Sequence, residues 1–207
     1  MQQRIITIDM LRHGETDGGN IYRGSTDSPL TPNGLRQMKN SVAEIDSKHL
    51  WQKVYCSPLQ RCRVFAESCA ASNQLPFKVE DQLREIDFGD WDGCDITEVW
   101  RQTPQLVEAF WQDPESNPPP GGESIQQLMQ RTKLFIDQIL AAEEDHLLLV
   151  SHGGVIRALL AQILNIPASS WAALRVDYAS FSRIQLGVEP ESNWSSVCFV
   201  NRCSALL

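Results

Sequence analysis

Residues 8–19 read IDMLRHGETDGG, an apolar run that ends in an arginine and a histidine directly before a glycine. The run belongs to a β-rich segment, RIITIDM, which predicts a first strand over residues 4–10. Glycine after the polar pair predicts a turn in which the backbone can approach a bound group closely. Arg12 and His13 are therefore candidates for an anion-binding site, although a surface turn with two polar residues would give the same pattern.

A second stretch, LLLVSHGGVIRALL at residues 147–160, repeats this arrangement. His152 follows an apolar strand and precedes Gly153, just as His13 follows its own strand and precedes a glycine. A lone loop histidine is more often structural, but two at matching strand ends weaken that interpretation. If the strands are neighbours, the imidazoles face each other at the carboxyl edge of the sheet, where ligands bind. The helix that opens near Gly153 would also direct free N–H groups toward an anion.

Strands and helices alternate along the rest of the chain. Thr31-Pro32 and Ser57-Pro58 each place a capping residue before proline, which predicts a helix start. Further strands are predicted at residues 53–56, 75–81, 146–150, near 172–187, and 194–202. Helices are predicted from Thr31 to about Asp46 and over residues 59–72, 124–142 and 153–164, the second of them opened by Ser57-Pro58. This order predicts an α/β fold, a three-layer sandwich with a mostly parallel sheet flanked by helices.

Residues 87–122 lose clear periodicity and contain three tryptophans and the run NPPPGG. We interpret them as short helices and loops that form a small cap insertion within one domain spanning residues 1–207. A chain of this length is enough for one α/β domain of good size.

Composition excludes several classes of protein. The formal net charge of -8 argues against general nucleic-acid binding, because that needs a basic face. No apolar run is long enough to span a membrane, and the N-terminus reads as a strand and not as a signal peptide. The six cysteines form no CxxC pair, which argues against a zinc site and fits free thiols in a reducing cytoplasm. We therefore expect a cytoplasmic protein without a metal or other cofactor.

Five motifs occur in an order that resembles the histidine phosphatase superfamily, which includes the cofactor-dependent phosphoglycerate mutases. They are LRHGET, CSPLQRC, LREIDFGDWDG, PGGES and VSHGG. The resemblance runs from Ile5 to about Leu186. Within the superfamily the chain is most similar to the alpha-ribazole phosphatases of cobalamin biosynthesis, through the segment LRVDYASFSRIQL and the short middle region.

The resemblance implies a role for each of five catalytic candidates. His13 would attack phosphorus and form a phosphohistidine. Arg12 and Arg61 would clamp the phosphoryl oxygens with their guanidinium forks. His152 would be a third contact that stabilises transition-state charge. Glu85 would protonate the leaving alkoxide and then deprotonate the attacking water.

Five further residues are substrate-binding candidates. The resemblance points to Thr26 as a residue that lines the pocket, and Ser57 and Glu15 are weaker candidates. Gly153 is a candidate because its helix start directs free N–H groups toward an anion. Many members of the superfamily place asparagine six residues after the nucleophile. Here that position is glycine, and Asn20 comes one place later.

The cap bears on the substrate. From Glu85 to Ile125 there is one cation, Arg101, against ten acidic residues. This field would disfavour a second anion on the substrate, unless the acids simply form a solvated surface. Three cap tryptophans, Trp91, Trp100 and Trp111, could stack on an aromatic leaving group.

The preferred substrate is therefore a small phosphomonoester, alpha-ribazole 5'-phosphate or the 5'-phosphorylated cobamide. Alternatives are a broad-specificity phosphatase, a phosphoprotein phosphatase, a phosphoglycerate mutase and a non-catalytic binder of phosphorylated ligands. The mutase-type sequence ERHYG is replaced here by REIDFG, which weighs against a mutase.

Overall fold

One six-stranded sheet forms the centre of the computed structural model, which describes residues 4–45, 51–189 and 193–204. The strands are β1 Arg4–Arg12, β2 Lys53–Cys56, β3 Phe77–Val79, β4 His146–Ser151, β5 Phe181–Val188 and β6 Trp194–Arg202. Their order is β3-β2-β4-β1-β5-β6. The first four strands in this order are parallel, whereas β5 is antiparallel to both of its neighbours. The predicted α/β class with a mostly parallel sheet is confirmed.

Six α-helices accompany the sheet in the described part of the chain. They are α1 Pro32–Glu44, α2 Gln60–Ser72, α3 Ile96–Gln102, α4 Pro104–Gln112, α5 Ile125–Ala141 and α6 Gly153–Leu164. Short 3-10 turns cover Asp81–Leu83, Gly89–Trp91 and Ala168–Ala173. The interpretation of residues 87–122 as a cap stays a prediction, although this region does contain two short helices.

Helices pack on both faces of the sheet because the side chains of a strand alternate between its faces. In β4, Leu147 and Leu149 belong to a buried apolar cluster with residues of α5 and α6. Leu148 and Val150 belong to a separate cluster with residues of α1 and α2. A strand buried on both sides reads as a continuous apolar run, which is how β4 reads in the sequence.

A buried carboxylate ties three strands together below the site. Asp9 of β1 is fully buried and accepts hydrogen bonds from Arg183 Nε at 2.6 Å and Trp51 Nε1 at 2.8 Å. His146 Nε2 of β4 lies 3.0 Å from the same carboxylate. Burial alone would raise the pKa of Asp9, but hydrogen bonds from His146, Arg183 and Trp51 hold that pKa below its usual value.

Two predicted helix starts have different outcomes. Thr31 is the N-cap of α1, and its hydroxyl accepts a hydrogen bond from Gly34 N at 2.9 Å, as predicted. The prediction that Ser57-Pro58 starts α2 is wrong, because that helix begins at Gln60. Its first free N–H, on Gln60, is satisfied instead by the side chain of Asp27 at 2.7 Å. The predicted end of α1 near Asp46 lies outside the described residues.

The predicted strand near residues 172–187 starts too early. Residues Ala168–Ala173 form a 3-10 turn, and β5 begins only at Phe181. The intervening segment, residues 174–180, is irregular, and its main chain bonds both to the end of β1, through Ser180 and Ala179, and to side chains of the site. Carbonyl oxygens of Leu174 and Val176 accept hydrogen bonds from two arginines.

The turn after β1 packs directly against the start of α1. A Cβ atom on Gly34 would lie 2.0 Å from the carbonyl oxygen of Glu15, and one on Gly14 would lie 2.1 Å from that of Gly34. The Glu15 carboxylate also binds Thr31 Oγ1 and Asn33 Nδ2, at 2.9 and 2.8 Å. The turn that carries the first histidine is therefore fixed by backbone-to-backbone contact.

We predict that Gly34→Ala destabilises the protein by about 1–3 kcal/mol. In an unconstrained helix the same change would stabilise the protein by up to about 1 kcal/mol. A loss of unfolding free energy would therefore indicate the close contact between the backbones of Gly34 and Glu15. The measurement is the denaturant midpoint of unfolding, with Lys39→Ala on the exposed face of α1 as the control. A Gly34→Ala protein as stable as the wild type would contradict this packing.

Candidate active site

The two histidines meet at the carboxyl edge of neighbouring parallel strands. Arg12, the last residue of β1, is paired in register with Ser151, the last residue of β4. His13 and His152 come next, and their ring centroids lie 5.2 Å apart. The main-chain N–H of His13 donates to the Ser151 carbonyl at 3.0 Å, which continues the strand pairing into the site. The expected juxtaposition of the imidazoles is therefore present.

His13 is oriented as a nucleophile would need to be. Its Nδ1 lies 2.8 Å from the carbonyl oxygen of Gly14. Because a carbonyl can only accept, Nδ1 carries the proton and Nε2 keeps its lone pair. Burial, and then the charges of Arg12 and Arg61, hold the pKa of His13 well below its usual value. The imidazole is therefore neutral at neutral pH.

Arg12 presents its charge beside this imidazole without a carboxylate partner in the described part of the chain. Its Nη1 donates to the carbonyl oxygen of Val176 at 2.7 Å. The guanidinium lies over the ring of Tyr178, with 4.2 Å between its central carbon and the ring centroid. That ring is also 5.5 Å from the His13 ring, centroid to centroid. The Nε of Arg12 is buried and has no hydrogen-bond partner among the described residues.

His152 is fully buried, and both of its ring nitrogens are engaged. Nδ1 accepts from Arg61 Nε at 3.2 Å, so Nε2 carries the proton and donates to Ser57 Oγ at 2.7 Å. Burial, followed by the charge of Arg61, holds the pKa of His152 well below its usual value. Ser57 therefore contacts His152. That Ser57 and His152 also contact the substrate stays a prediction.

Arg61 is fully buried in the first turn of α2. Beyond its contact with His152, it donates to the carbonyl oxygens of Thr26 at 2.8 Å and Gly24 at 2.9 Å, and to that of Arg23 at 3.3 Å. Of its five N–H groups, one on Nη1 remains without a partner among the described residues. The guanidinium is thereby locked in place with one donor available.

Glu85 approaches the start of α6. Its carboxylate accepts hydrogen bonds from Gly154 N at 3.1 Å and from Ile86 N at 3.0 Å. A Cβ atom on Gly154 would lie 2.3 Å from Oε1 of Glu85, so the approach requires glycine there. The structure therefore brings a carboxylate to the same edge as the two histidines.

A cavity of about 290 Å³ opens beside these groups. One part of its wall is polar and is formed by Arg12, His13, Arg23, Glu85, Gly153 and Arg157. The other part is apolar and is formed by Ile21, Tyr22, Phe88, Ile96, Trp111 and Trp171. A polar end next to an aromatic wall is the usual layout of a small-molecule site.

The weaker substrate-binding candidates are placed differently. Asn20 and Gly153 are in the cavity wall. Thr26 is outside the set of wall residues, and its hydroxyl and main-chain N–H are bound to the carboxylate of Asp92. Thr26 therefore contacts the site through its main-chain carbonyl oxygen, which accepts a hydrogen bond from Arg61.

The three cap tryptophans are placed differently, and their stacking on a ligand stays a prediction. Trp111 is in the cavity wall. Trp91 is buried beneath it against Tyr22, with ring centroids 5.4 Å apart, and Trp100 is 41% exposed. The sequence pattern missed Trp171, which stacks on Trp111 at 6.4 Å between centroids.

Most acids of the cap lie outside the described cavity wall, and their effect on a second substrate anion stays a prediction. Among the ten acids between Glu85 and Ile125, the described cavity wall includes Glu85, whereas three arginines line it: Arg12, Arg23 and Arg157. The acids are local partners elsewhere, as Asp92 is for the loop at Thr26. Charge counted along a sequence does not predict which side chains face the ligand.

Sequence reasoning missed Arg157, whose signal was a single cation in the otherwise apolar helix GGVIRALLAQIL. It lies one turn after Gly153 and reaches back toward the start of α6. Its Nε donates to the Leu174 carbonyl at 2.8 Å, and its terminal amino groups bind no other described residue. Arg12 and Arg157 both come within 3.5 Å of the position that a Cβ on Gly153 would occupy.

Two further features concern cofactors and membranes. Within the described residues, no three histidine, cysteine or acidic side chains are grouped as metal ligands would be. No helix there is both long and apolar enough to cross a bilayer.

The family model described as "Histidine phosphatase superfamily (branch 1)" matches residues 8–195. The chain belongs to the histidine phosphatase superfamily. It is 30% identical over 181 residues to the adenosylcobalamin/alpha-ribazole phosphatase of Salmonella typhimurium, covering 86% of this chain and 89% of that protein. It is 28% identical over 185 residues to phosphoserine phosphatase 1 of Hydrogenobacter thermophilus, covering 88% and 87% of the two chains.

The solved structure of mycobacterial glucosyl-3-phosphoglycerate phosphatase matches with a TM-score of 0.84 and 28% identity. The match covers 96% of this chain and 100% of that one. The six-stranded sheet with flanking helices is thus the fold of the superfamily. The relatives named here are phosphatases of small phosphorylated molecules, and their names give three different substrates.

We predict that His13 of the free protein titrates below the ordinary imidazole pKa of about 6.5. A lowered pKa means that the neutral, nucleophilic form persists as the pH falls through 6.5 and is lost only at lower pH. The measurement is an NMR titration of labelled histidine, with His13→Asn to assign the resonance. A His13 resonance that titrates near or above 6.5 would contradict the burial and charge found around it.

Proposed function

We propose that this chain is a phosphomonoesterase that works through a phosphohistidine on His13 and needs no metal ion. One observation carries the proposal, namely the neutral His13 with Nε2 unprotonated beside the guanidinium groups of Arg12 and Arg61. A dianionic phosphoryl group brought to these charges would meet a nitrogen lone pair. Such a nucleophile splits hydrolysis into two easier displacements.

In the first displacement Nε2 of His13 bonds to phosphorus while the ester P–O bond breaks, and Glu85 gives its proton to the leaving alkoxide. In the second, Glu85 takes a proton from water, the water oxygen bonds to phosphorus, and the P–N bond breaks to release phosphate. Arg12 and the remaining donor of Arg61 stabilise the charge on the equatorial oxygens, and His152 orients Arg61 by accepting from its Nε.

The proposed substrate is alpha-ribazole 5'-phosphate, or adenosylcobalamin 5'-phosphate, in a cytoplasmic pathway of cobalamin nucleotide-loop assembly. Support comes from the similarity to the alpha-ribazole phosphatase of Salmonella typhimurium and from the aromatic wall. Phe88, Trp111 and Trp171 could pack on a planar base, which adds about 0.5–1.5 kcal/mol per aromatic pair beyond area burial.

A second candidate function is a broad-specificity phosphatase that also accepts substrates with a second anion. The observation that favours it is the presence of Arg23 and Arg157 in the cavity wall beyond Arg12. The names of two relatives, phosphoserine phosphatase and glucosyl-3-phosphoglycerate phosphatase, give substrates with a carboxylate near the phosphate.

The test is kcat/KM for a panel of phosphomonoesters, measured in a chelator. We expect alpha-ribazole 5'-phosphate to exceed 3-phosphoglycerate and phosphoserine by at least about 10-fold, equivalent to about 1.4 kcal/mol of transition-state discrimination. Trp111→Leu should shrink this ratio, while 4-nitrophenyl phosphate turnover stays near wild type. The exposed Trp100→Leu is the matched control and should leave the ratio unchanged.

Equal rates on the carboxylated esters would reject the alpha-ribazole assignment and support the broad-specificity reading. In that case Arg157→Gln should lower their kcat/KM more than that for 4-nitrophenyl phosphate. Failure to turn over any phosphomonoester, or activity that needs added Mg²⁺ after chelation, would reject the phosphohistidine proposal itself.

A further inference from the structure

The main chain around Glu85 is held from helix α5 by one side chain. Arg131 Nη1 donates to the carbonyl oxygen of Gln82 at 2.6 Å, and Nη2 donates to that of Glu85 at 3.2 Å. Glu85 itself lies in an irregular segment between two 3-10 turns, so no strand or helix hydrogen bonds fix it there. Hydrogen bonds from Arg131 therefore hold this main chain where no strand or helix hydrogen bonds do.

Glu123 orients the guanidinium that does this. Its two carboxylate oxygens accept from Nε and Nη2 of Arg131 at 2.6 and 2.8 Å, a bidentate fork. Its main-chain N–H donates to the Asp87 carbonyl at 2.8 Å. The pair thus fastens the segment on both sides of Glu85, at residue 82 before it and residue 87 after it.

The position of this main chain decides where the Glu85 carboxylate lies. That carboxylate is bound by two main-chain N–H groups, those of Ile86 and Gly154. If the segment moves, the Ile86 donor moves with it while the Gly154 donor stays on α6. A general acid has to lie within about 2.6–3.2 Å of the oxygen that it protonates, so a small displacement costs rate.

We propose that the Arg131–Glu123 pair is a positioning unit for the general acid, acting through the main chain of Glu85. This inference rests on the proposed function, in which Glu85 protonates the leaving group. It also gives a role to the PGGES motif, whose glutamate lies outside the wall of the catalytic cavity.

Burial separates this pair from an ordinary surface ion pair on the same helix. The side chains of Arg131 and Glu123 are 13% and 14% exposed. Lys133 and Asp137, which lie on α5 as Arg131 does, form a pair at 2.8 Å but are 66% and 51% exposed. An exposed pair of this kind adds little to stability, which makes Asp137→Asn a matched control.

The experiment compares a good with a poor leaving group. We expect Arg131→Lys, which keeps the charge but loses the fork, to lower kcat/KM about 10-fold or more for an alkyl phosphate. With 4-nitrophenyl phosphate the loss should stay within about 3-fold, because its leaving group needs little protonation. Glu123→Gln should act in the same direction, and Asp137→Asn should match the wild type on both substrates. Glu123→Gln also provides the test if Arg131→Lys does not fold.

A double-mutant cycle completes the test. If the pair acts through Glu85, Arg131→Lys in a Glu85→Gln background should cause no further selective loss on the alkyl phosphate. Equal losses on the two substrates, or a full additional loss in the double variant, would overturn the inference. An alkyl-selective effect of Glu85→Gln without one for Arg131→Lys and Glu123→Gln would reject the positioning unit alone. No selective effect of Glu85→Gln would reject its role as the acid in the first displacement of the proposed function.

Discussion

The parallel pairing of β1 with β4 is the constraint on which the site depends. The register that places Arg12 opposite Ser151 forces the next residue of each strand to the same edge, and both are histidines. Leu147 and Leu149 pack β4 into one buried apolar cluster, and Leu148 and Val150 pack it into another. The buried Asp9 of β1 adds polar contacts with His146 of β4 and Arg183 of β5, and these contacts distinguish the register where apolar packing alone would not. The packing of the core therefore sets the distance of 5.2 Å between the two imidazole ring centroids.

The arginines of the site are held by carbonyl oxygens, not by carboxylates. Val176 binds Arg12, Leu174 binds Arg157, and Thr26 and Gly24 bind Arg61. In the described chain none of these three guanidinium groups forms an ion pair with an acid. A carbonyl orients a guanidinium without neutralising it, so the positive charge stays available for an anion. Burial, and then the charges of Arg12 and Arg61, keep His13 neutral by lowering its pKa, and a bound dianion would relieve the repulsion among the arginines.

Much of this could be predicted from the sequence because the deciding signals are local. Strand patterns, the Thr31 cap and the repeated His-Gly ends predict the sheet class and the meeting of His13 with His152. What sequence reasoning missed depends on tertiary contact. The first free N–H of α2, on Gln60, is bound by Asp27, a residue 33 positions away. In the irregular segment before β5, carbonyl oxygens bind Arg157 and Arg12, which are distant in sequence. Trp171 and Arg157 likewise line the cavity because of tertiary packing, which no local sequence pattern predicts.

The central claim is that His13 carries the phosphoryl group, and chemical trapping tests it most directly. Wild-type enzyme mixed with a ³²P-labelled phosphomonoester and quenched during turnover should hold protein-bound phosphate that is labile in acid and stable in alkali. Peptide mapping should place the label on His13, and His13→Ala should hold none and lose about 10³-fold or more in rate. Label on another residue, or wild-type turnover by His13→Ala, would contradict the account.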